Sequence, residues 1–486
     1  MPLMKKLIPI FFLTFVLSIK TEGQTIPIKS VPVIEGSQFL LFPSKNLSMG
    51  GVSIAMEDPW LDSFSNPAKK PEDVNIFFAP TAYSITNNWG SGNTAPLSAY
   101  WGSQKMFGTF SLAIQQLKSN KMNNELSSQN RKNQYLFLSL GKLLKNTRSS
   151  VGFNIALYDL DAVHSVDLLY ANASKIEQSG KIFSIRGGLF TKWPEDRTLD
   201  MIILFQKVRM EHHVTSSIWV GPEPLSSFSS PTHLVDSTEI NKDWSNTYGF
   251  NCRYRQLLGE TGWKIGTTLT INRKTHPKIP NYSIMNIPRD PGDSWAFNLG
   301  AGLARLSEQG RVGFDIIYEP IWSHTWANAI EKIWAPDDRA ILAGEKTVDN
   351  KFVFSNSIIR FGISNEKEKS GFQLGLQMRN ISYRLKQHNR IEDVRRTQRE
   401  NWTEWTITGG LDFKFQDFNL HYAIMLNTGT GLPGITTSPW GNRMENLGFD
   451  AGAKGDFIIA PSGDLALEDC HVWTHQVTLV IPIINN

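Results

Sequence analysis

Along most of this chain apolar and small polar residues alternate with a period of two, and that pattern constrains the fold more than any other feature. A strand turns successive side chains to opposite sides, so alternation over eight to ten residues means a sheet with two different faces. In Phe107 to Ile114, Phe110, Leu112 and Ile114 oppose Thr109, Ser111 and Ala113. Val151, Phe153, Ile155 and Leu157 oppose Gly152, Asn154, Ala156 and Tyr158, and the same rhythm returns at Trp263 to Ile271, Val312 to Tyr318, Trp405 to Phe413 and Val477 to Ile483. Beyond the N-terminal region no stretch approaches the ~20 consecutive apolar residues of a membrane-crossing helix.

The second face decides between a soluble sandwich and a barrel in lipid. A sandwich wets its polar face with bulk water and fills it with Lys and Glu; here that face is Gly, Ser, Thr, Asn and Gln, which suits a crowded aqueous interior. Charged residues make up 19% of the chain, below the roughly 25% usual for soluble domains. Trp89, Trp101, Trp193, Trp244, Trp263, Trp295, Trp322, Trp402 and Trp473 open or close strand candidates, as expected at lipid headgroup level. Ten residues rising about 3.3 Å each and tilted about 40° span roughly 25 Å, the height of an outer-membrane apolar band. The expectation is an all-β fold, a transmembrane antiparallel outer-membrane β-barrel of 14 to 18 strands, in the cell outer membrane of a Gram-negative bacterium. Outer-membrane lipid and lipopolysaccharide are then partners. The net charge of +4 is spread along 486 residues, which argues against nucleic acid as a partner. Only Cys252 and Cys470 occur, so a disulfide framework does not hold the chain together.

Residues 1–23 read as a secretory signal, with Lys5 and Lys6 before the apolar run Leu7 to Ile19 and a polar stretch after it. Residues 24–72 do not alternate and precede the first strand candidate, Val74 to Thr86; residues 73–486 carry the barrel rhythm. Long connectors fall at 118–133, 213–243, 273–293, 320–351, 386–401 and 428–448, between tight ones such as Ser307 to Gly310. That alternation is the outer-membrane pattern.

Within the non-alternating stretch, Ser48 to Ala68 contains the pair Gly50-Gly51, the acidic turn Glu57-Asp58-Pro59 and the triplet Asn66-Pro67-Ala68. This run resembles the N-terminal signature of the long-chain fatty-acid transporter family, the FadL and TodX group of outer-membrane barrels. PorV-like barrels of type IX protein secretion, which are similar to that group, share the arrangement. The resemblance covers about residues 45 to 87 and implies an N-terminal lumenal hatch with Gly50, Gly51, Glu57, Asp58, Asn66, Pro67 and Ala68 as its motif. Independently, Pro67 fixes its own φ and biases Asn66 to extended backbone, so a rigid bend is expected there. Lys69-Lys70-Pro71 departs from the family pattern, where a Gly-Leu pair is usual.

No cofactor, metal site or catalytic residue is expected. His212 and His213 would face opposite sides of a strand, His471 and His475 would lie about 13 Å apart, and no nucleophile stands beside a base in sequence. Two loop groups are binding candidates: Trp322, Trp326 and Trp334 as aromatic anchors, and Arg390, Arg395 and Arg396 as cations for anionic sugars. The resemblance implies passive uptake of hydrophobic small molecules such as fatty acids, with an alternative in holding secreted proteins for type IX secretion, or a purely structural barrel.

Overall fold

The computed structural model describes residues 41–71, 73–85, 90–103, 105–119, 129–145, 148–161, 175–220, 233–275, 293–307, 309–329, 331–430 and 470–483. The signal segment expected at residues 1–23 and Trp89 lie outside them. In chain order the strands are β1 (Asn75–Phe78), β2 (Thr81–Ile85), β3 (Gly90–Gly102), β4 (Met106–Ser119), β5 (Gln129–Leu143), β6 (Ser149–Leu160), β7 (Lys175–Trp193), β8 (Arg197–Val220) and β9 (His233–Leu257). They continue with β10 (Trp263–Thr275), β11 (Asp293–Ser307), β12 (Gly310–Asn328), β13 (Ile333–Trp334), β14 (Ala340–Ile341), β15 (Lys346–Glu366), β16 (Ser370–Asn389), β17 (Val394–Lys414), β18 (Asn419–Thr430) and β19 (Cys470–Pro482).

Except for the small β13–β14 hairpin, these strands form one antiparallel sheet that closes on itself through β19 pairing with β1 and β2. The first two strands keep a common register against β3 and β19, so they are halves of one wall strand, and the barrel has 16 strands. Closure leaves no unpaired edge. The single strand expected from Val74 to Thr86 is thus interrupted at Ala79-Pro80. Pro80 and Pro96 explain the break. The Ala79 amide donates to the Pro96 carbonyl (3.2 Å) and the Val477 amide to the Pro80 carbonyl (3.0 Å), but neither proline has an N–H to return the bond.

The alternation resolves into two faces. Outward side chains include Leu112, Ile114, Leu138, Phe153, Ile203, Leu299, Ile316, Phe361, Leu374, Ile407 and Val477, with Ile203 63% exposed. An apolar belt of this extent exceeds anything a soluble monomer tolerates, so its solvent is lipid. Inward side chains are Ser98, Thr109, Ser139, Asn154, Thr270, Gln373, Thr408 and their like, buried in the lumen. Trp101, Trp193 and Trp263 lie on the wall near the tight turns, while Trp295, Trp322, Trp405 and Trp473 face outward toward the opposite end. Trp402 differs from expectation: it packs inward against Tyr383. The chain is therefore an outer-membrane β-barrel. Three expected connectors are shortened because β8, β9, β12, β15, β16 and β17 continue well past the belt as paired strands.

Residues 41–71 lie inside the barrel, at the end where 194–196, 258–262, 367–369 and 415–418 make tight turns. From Ser48 to Met56 this lumenal segment touches β18, β17, β16, β15, β12, β11, β10 and β9 in turn. About one residue per strand fits a nearly extended chain, rising about 3.3 Å per residue, laid across strands about 4.8 Å apart on a tighter inner circle. The wall makes room with glycine: a methyl group at Gly152, Gly188, Gly266, Gly313, Gly362 or Gly375 would overlap the segment.

Candidate functional site

The site is the lumenal segment and the wall that holds it. Its organiser is Asp58. That carboxylate accepts hydrogen bonds from Ser44 Oγ (2.6 Å) and from the amides of Lys45 (3.0 Å), Asn46 (3.0 Å), Trp60 (3.0 Å) and Leu61 (3.1 Å). One side chain thus closes the loop 44–58 and sets the entry to a four-residue helix, Asp62–Ser65. Glu57 points instead to Arg255 (3.2 Å). Gly50 and Gly51 take φ of 67° and 73°, the left-handed region that glycine enters without strain. Gly50 also lies against the backbone of Phe361 and Leu376.

The bend expected at Asn66-Pro67-Ala68 takes this form. Asn66 Oδ1 accepts from the Ala68 amide (2.8 Å), while its Nδ2 donates to the Leu189 carbonyl (3.2 Å) and to Asp200. Ser150 Oγ donates to the Ala68 carbonyl (2.6 Å). The Asn66→Ala variant should leave the Ala68 amide and the Leu189 carbonyl unmatched in a buried place and weaken anchoring by about 1–3 kcal/mol. Faster hydrogen exchange at Ala68, with the wall strands unchanged, is the expected reading.

The departure at Lys69 proves structural. Lys69 Nζ lies 2.6 Å from Asp62 and 3.2 Å from Asp200, and only 6% of its side chain is exposed. Arg253 stands 3.9 Å from both Asp62 and Asp200, and Arg255 is 3.6 Å from Asp62. Arg255 also donates to the carbonyls of Ser53, Ile54 and Met56. Burial works to raise the Asp62 carboxyl, but Lys69, Arg255 and Arg253 outweigh it and hold Asp62 well below the ordinary carboxylate range. Sequence reasoning missed Asp62, Asp200, Arg253 and Arg255. The available signal was charge on an inward register otherwise filled with glycine and small polar residues.

Elsewhere Asp315 accepts the amides of Ser53 (2.8 Å) and Ile54 (3.2 Å), and Lys45 pairs with Glu366 (3.1 Å). Ser48 Oγ lies 3.4 Å from His421 Nε2, whose Nδ1 lies 2.8 Å from Asp412 Oδ1. No nucleophile beside a base was legible in sequence, since Ser48 and His421 are 373 positions apart. Ser48 and His421 have no exposed surface, and Gly410 packs directly on the hydroxyl. Trp60 sits edge-on to the imidazole at 5.6 Å. In this position the three groups tether the segment to β17 and β18.

One side of the lumen is apolar. Phe42 and Phe64 from the segment pack into Tyr100, Tyr135, Phe137, Tyr158, Leu160, Ile182 and Met210 of the wall, beside Phe77 on β1. Phe64 stacks on Phe42 at 4.7 Å and lies 5.7 Å from Phe137. A second interior cluster, Ile321, Phe352, Phe354, Ile381, Tyr383, Leu385 and Trp402, lies higher on β12, β15, β16 and β17.

The loop candidates do not converge. Trp322 faces outward on β12; Trp326 is buried against His324; Trp334 is 63% exposed on the β13–β14 hairpin. Arg395 is exposed, Arg390 sits at the β16–β17 tip, and Arg396 turns to Gln387 (2.7 Å). His212 is buried and His213 half-buried on successive positions of β8; among the described residues no cluster of His, Cys, Asp and Glu has metal-ligand geometry. The Cys252 thiol is free.

No family model matches the sequence, and no curated protein matches it. Among solved structures the chain is similar to a Pseudomonas aeruginosa FadL homologue, at 10% identity over 91% of this chain and 99% of that one, with a TM-score of 0.43. The Pseudomonas putida toluene transporter TodX gives 10% identity, 90% and 96% coverage and a TM-score of 0.37. CdiB from Acinetobacter baumannii gives 9% identity and a TM-score of 0.39, covering 84% of this chain and 60% of its own length. At these values none of them bears on what this chain carries.

Proposed function

We propose that this barrel passes hydrophobic small molecules across the outer membrane, with residues 41–71 as a displaceable hatch. The observation that carries this reading is the apolar lumenal cluster, because the interior of a barrel wall is otherwise polar and wet. Phe42 and Phe64 occupy it as a hydrophobic guest would. A molecule gathered on the upper cluster around Phe354 and Tyr383 competes with Phe42 and Phe64 once it passes down to their surface, and the hatch shifts only by the difference in affinity between its two positions. The wall strand beside Phe77 lacks one hydrogen bond on each side at Ala79-Pro80, which favours sideways release there into the bilayer.

Fatty acids are the first cargo to try. Uptake of a fluorescent long-chain fatty acid and of a monoaromatic hydrocarbon should fall in cells lacking the chain and return on complementation. Equal uptake of every hydrophobe with and without the barrel would remove the transport reading and leave the fold untouched. A secretion role has one observation in its favour, the exposed Trp334 and Leu342 on and beside the β13–β14 hairpin. Loss of captured secreted protein in Trp334→Ala, with fatty-acid uptake intact, would favour that second reading.

A further inference from the structure

Above the apolar belt, β15, β16 and β17 carry a block of outward cations. Register places Arg384 directly opposite Arg399, Lys351 opposite Lys386, and Arg395 opposite His388. Lys351, Arg384, Lys386, Arg395 and Arg399 are all exposed, and none forms an ion pair among the described residues. Two acidic side chains border the block and are shared with other cations, Asp349 with His324 and Lys346, and Asp393 with His388. Like charges directly across a strand pair oppose folding. A chain that places two arginines so, with two lysines one step above, gains nothing from the arrangement unless an external anion joins them.

Height identifies the anion. On β16 and β17 the outward apolar side chains end at Met378 and Trp405, followed by Asn380 and Thr403, then Ser382 and Asn401; on β15, Ser357 and Ser355 follow Ile359, and a lone half-buried Val353 stands in the Arg384 row beside Trp322 of β12. Arg384 and Arg399 come next, six residues above Met378. At about 3.3 Å per residue and a tilt of about 40°, that is roughly 15 Å above the last belt side chains of β16 and β17. The polar zone of a phospholipid leaflet is only about 5–8 Å deep. We propose that this face binds the phosphorylated sugars of an outer-leaflet lipopolysaccharide, above its lipid anchor. Arg384 and Arg399 supply planar forks for phosphate, and Lys351 and Lys386 the adjoining point charges. The inference is independent of the transport reading.

The test compares the full-length barrel with Arg384→Gln/Arg399→Gln, each titrated in detergent with three lipids. These are lipopolysaccharide with a phosphorylated core, its lipid anchor without the core oligosaccharide, and phosphatidylglycerol. Folding is verified by heat-dependent gel mobility, and Lys351→Gln/Lys386→Gln is a second pair should the first not fold. Native mass spectrometry should show core-bearing lipopolysaccharide held at least about tenfold less well by either variant, with the other two lipids unaffected. Equal retention of core-bearing lipopolysaccharide, or an equal loss for all three lipids, overturns the proposal.

Discussion

Lys69→Met should release the lumenal segment while the barrel stays closed. The substitution keeps the length of the side chain and removes its charge, leaving Asp62 and Asp200 in the lumen without their nearest cation. Removing one partner of a buried ion pair costs about 3–5 kcal/mol, whereas the hydrogen-bond ladder of the wall is untouched. Hydrogen exchange should therefore accelerate across residues 58–70 and not in β5 to β8, and single-channel conductance should rise. Adding Asp200→Asn should recover part of the loss, because the two positions share one network. Unchanged protection of residues 58–70 in the single variant would mean that the network is not what holds the segment. Acid should act in the same direction. The depressed Asp62 carboxyl contributes stability that is complete above its ordinary value of 3.8 and is lost progressively as pH falls below it. Proteolysis of the segment should thus become easier toward pH 2, with no such change between pH 6 and 8.

Phe64→Ala tests the lumen as a binding surface. Phe64 has no exposed surface and packs on Phe42, Tyr100 and Phe137. Truncation removes apolar contact and leaves a cavity, a change worth about 3–5 kcal/mol in a rigid core. If a hydrophobic cargo takes the place of that ring, the vacated space should accept it, and affinity for a fluorescent fatty acid should rise even as the segment loosens. Calorimetric titration of wild type and variant measures both. Binding that is unchanged or weaker would show that cargo does not sit where Phe64 sits.

The period of two in segments such as Val151 to Leu157 was enough to establish strands, their two faces and a barrel in lipid. A 16-strand wall falls within the expected 14 to 18. The bend at Asn66-Pro67-Ala68 was also legible, since proline restricts φ whatever surrounds it. Even the crowding of the lumen was visible, as glycine on the inward register. What the chain could not announce was which of its distant parts meet across that lumen. Lys69 read only as a departure from a motif, and its partner Asp200 lies on β8, more than a hundred residues away. Ser48 and His421, or Gly50 and Thr408, are separated by nearly the whole barrel and come together because the wall closes on itself. Alternation reports only whether a side chain turns toward lipid or toward the interior. The charged network around Lys69, the aromatic pocket and the weak bonding at Ala79-Pro80 were decided by tertiary structure. Each depends on which strands close beside one another and on how deep the lumenal segment lies against them.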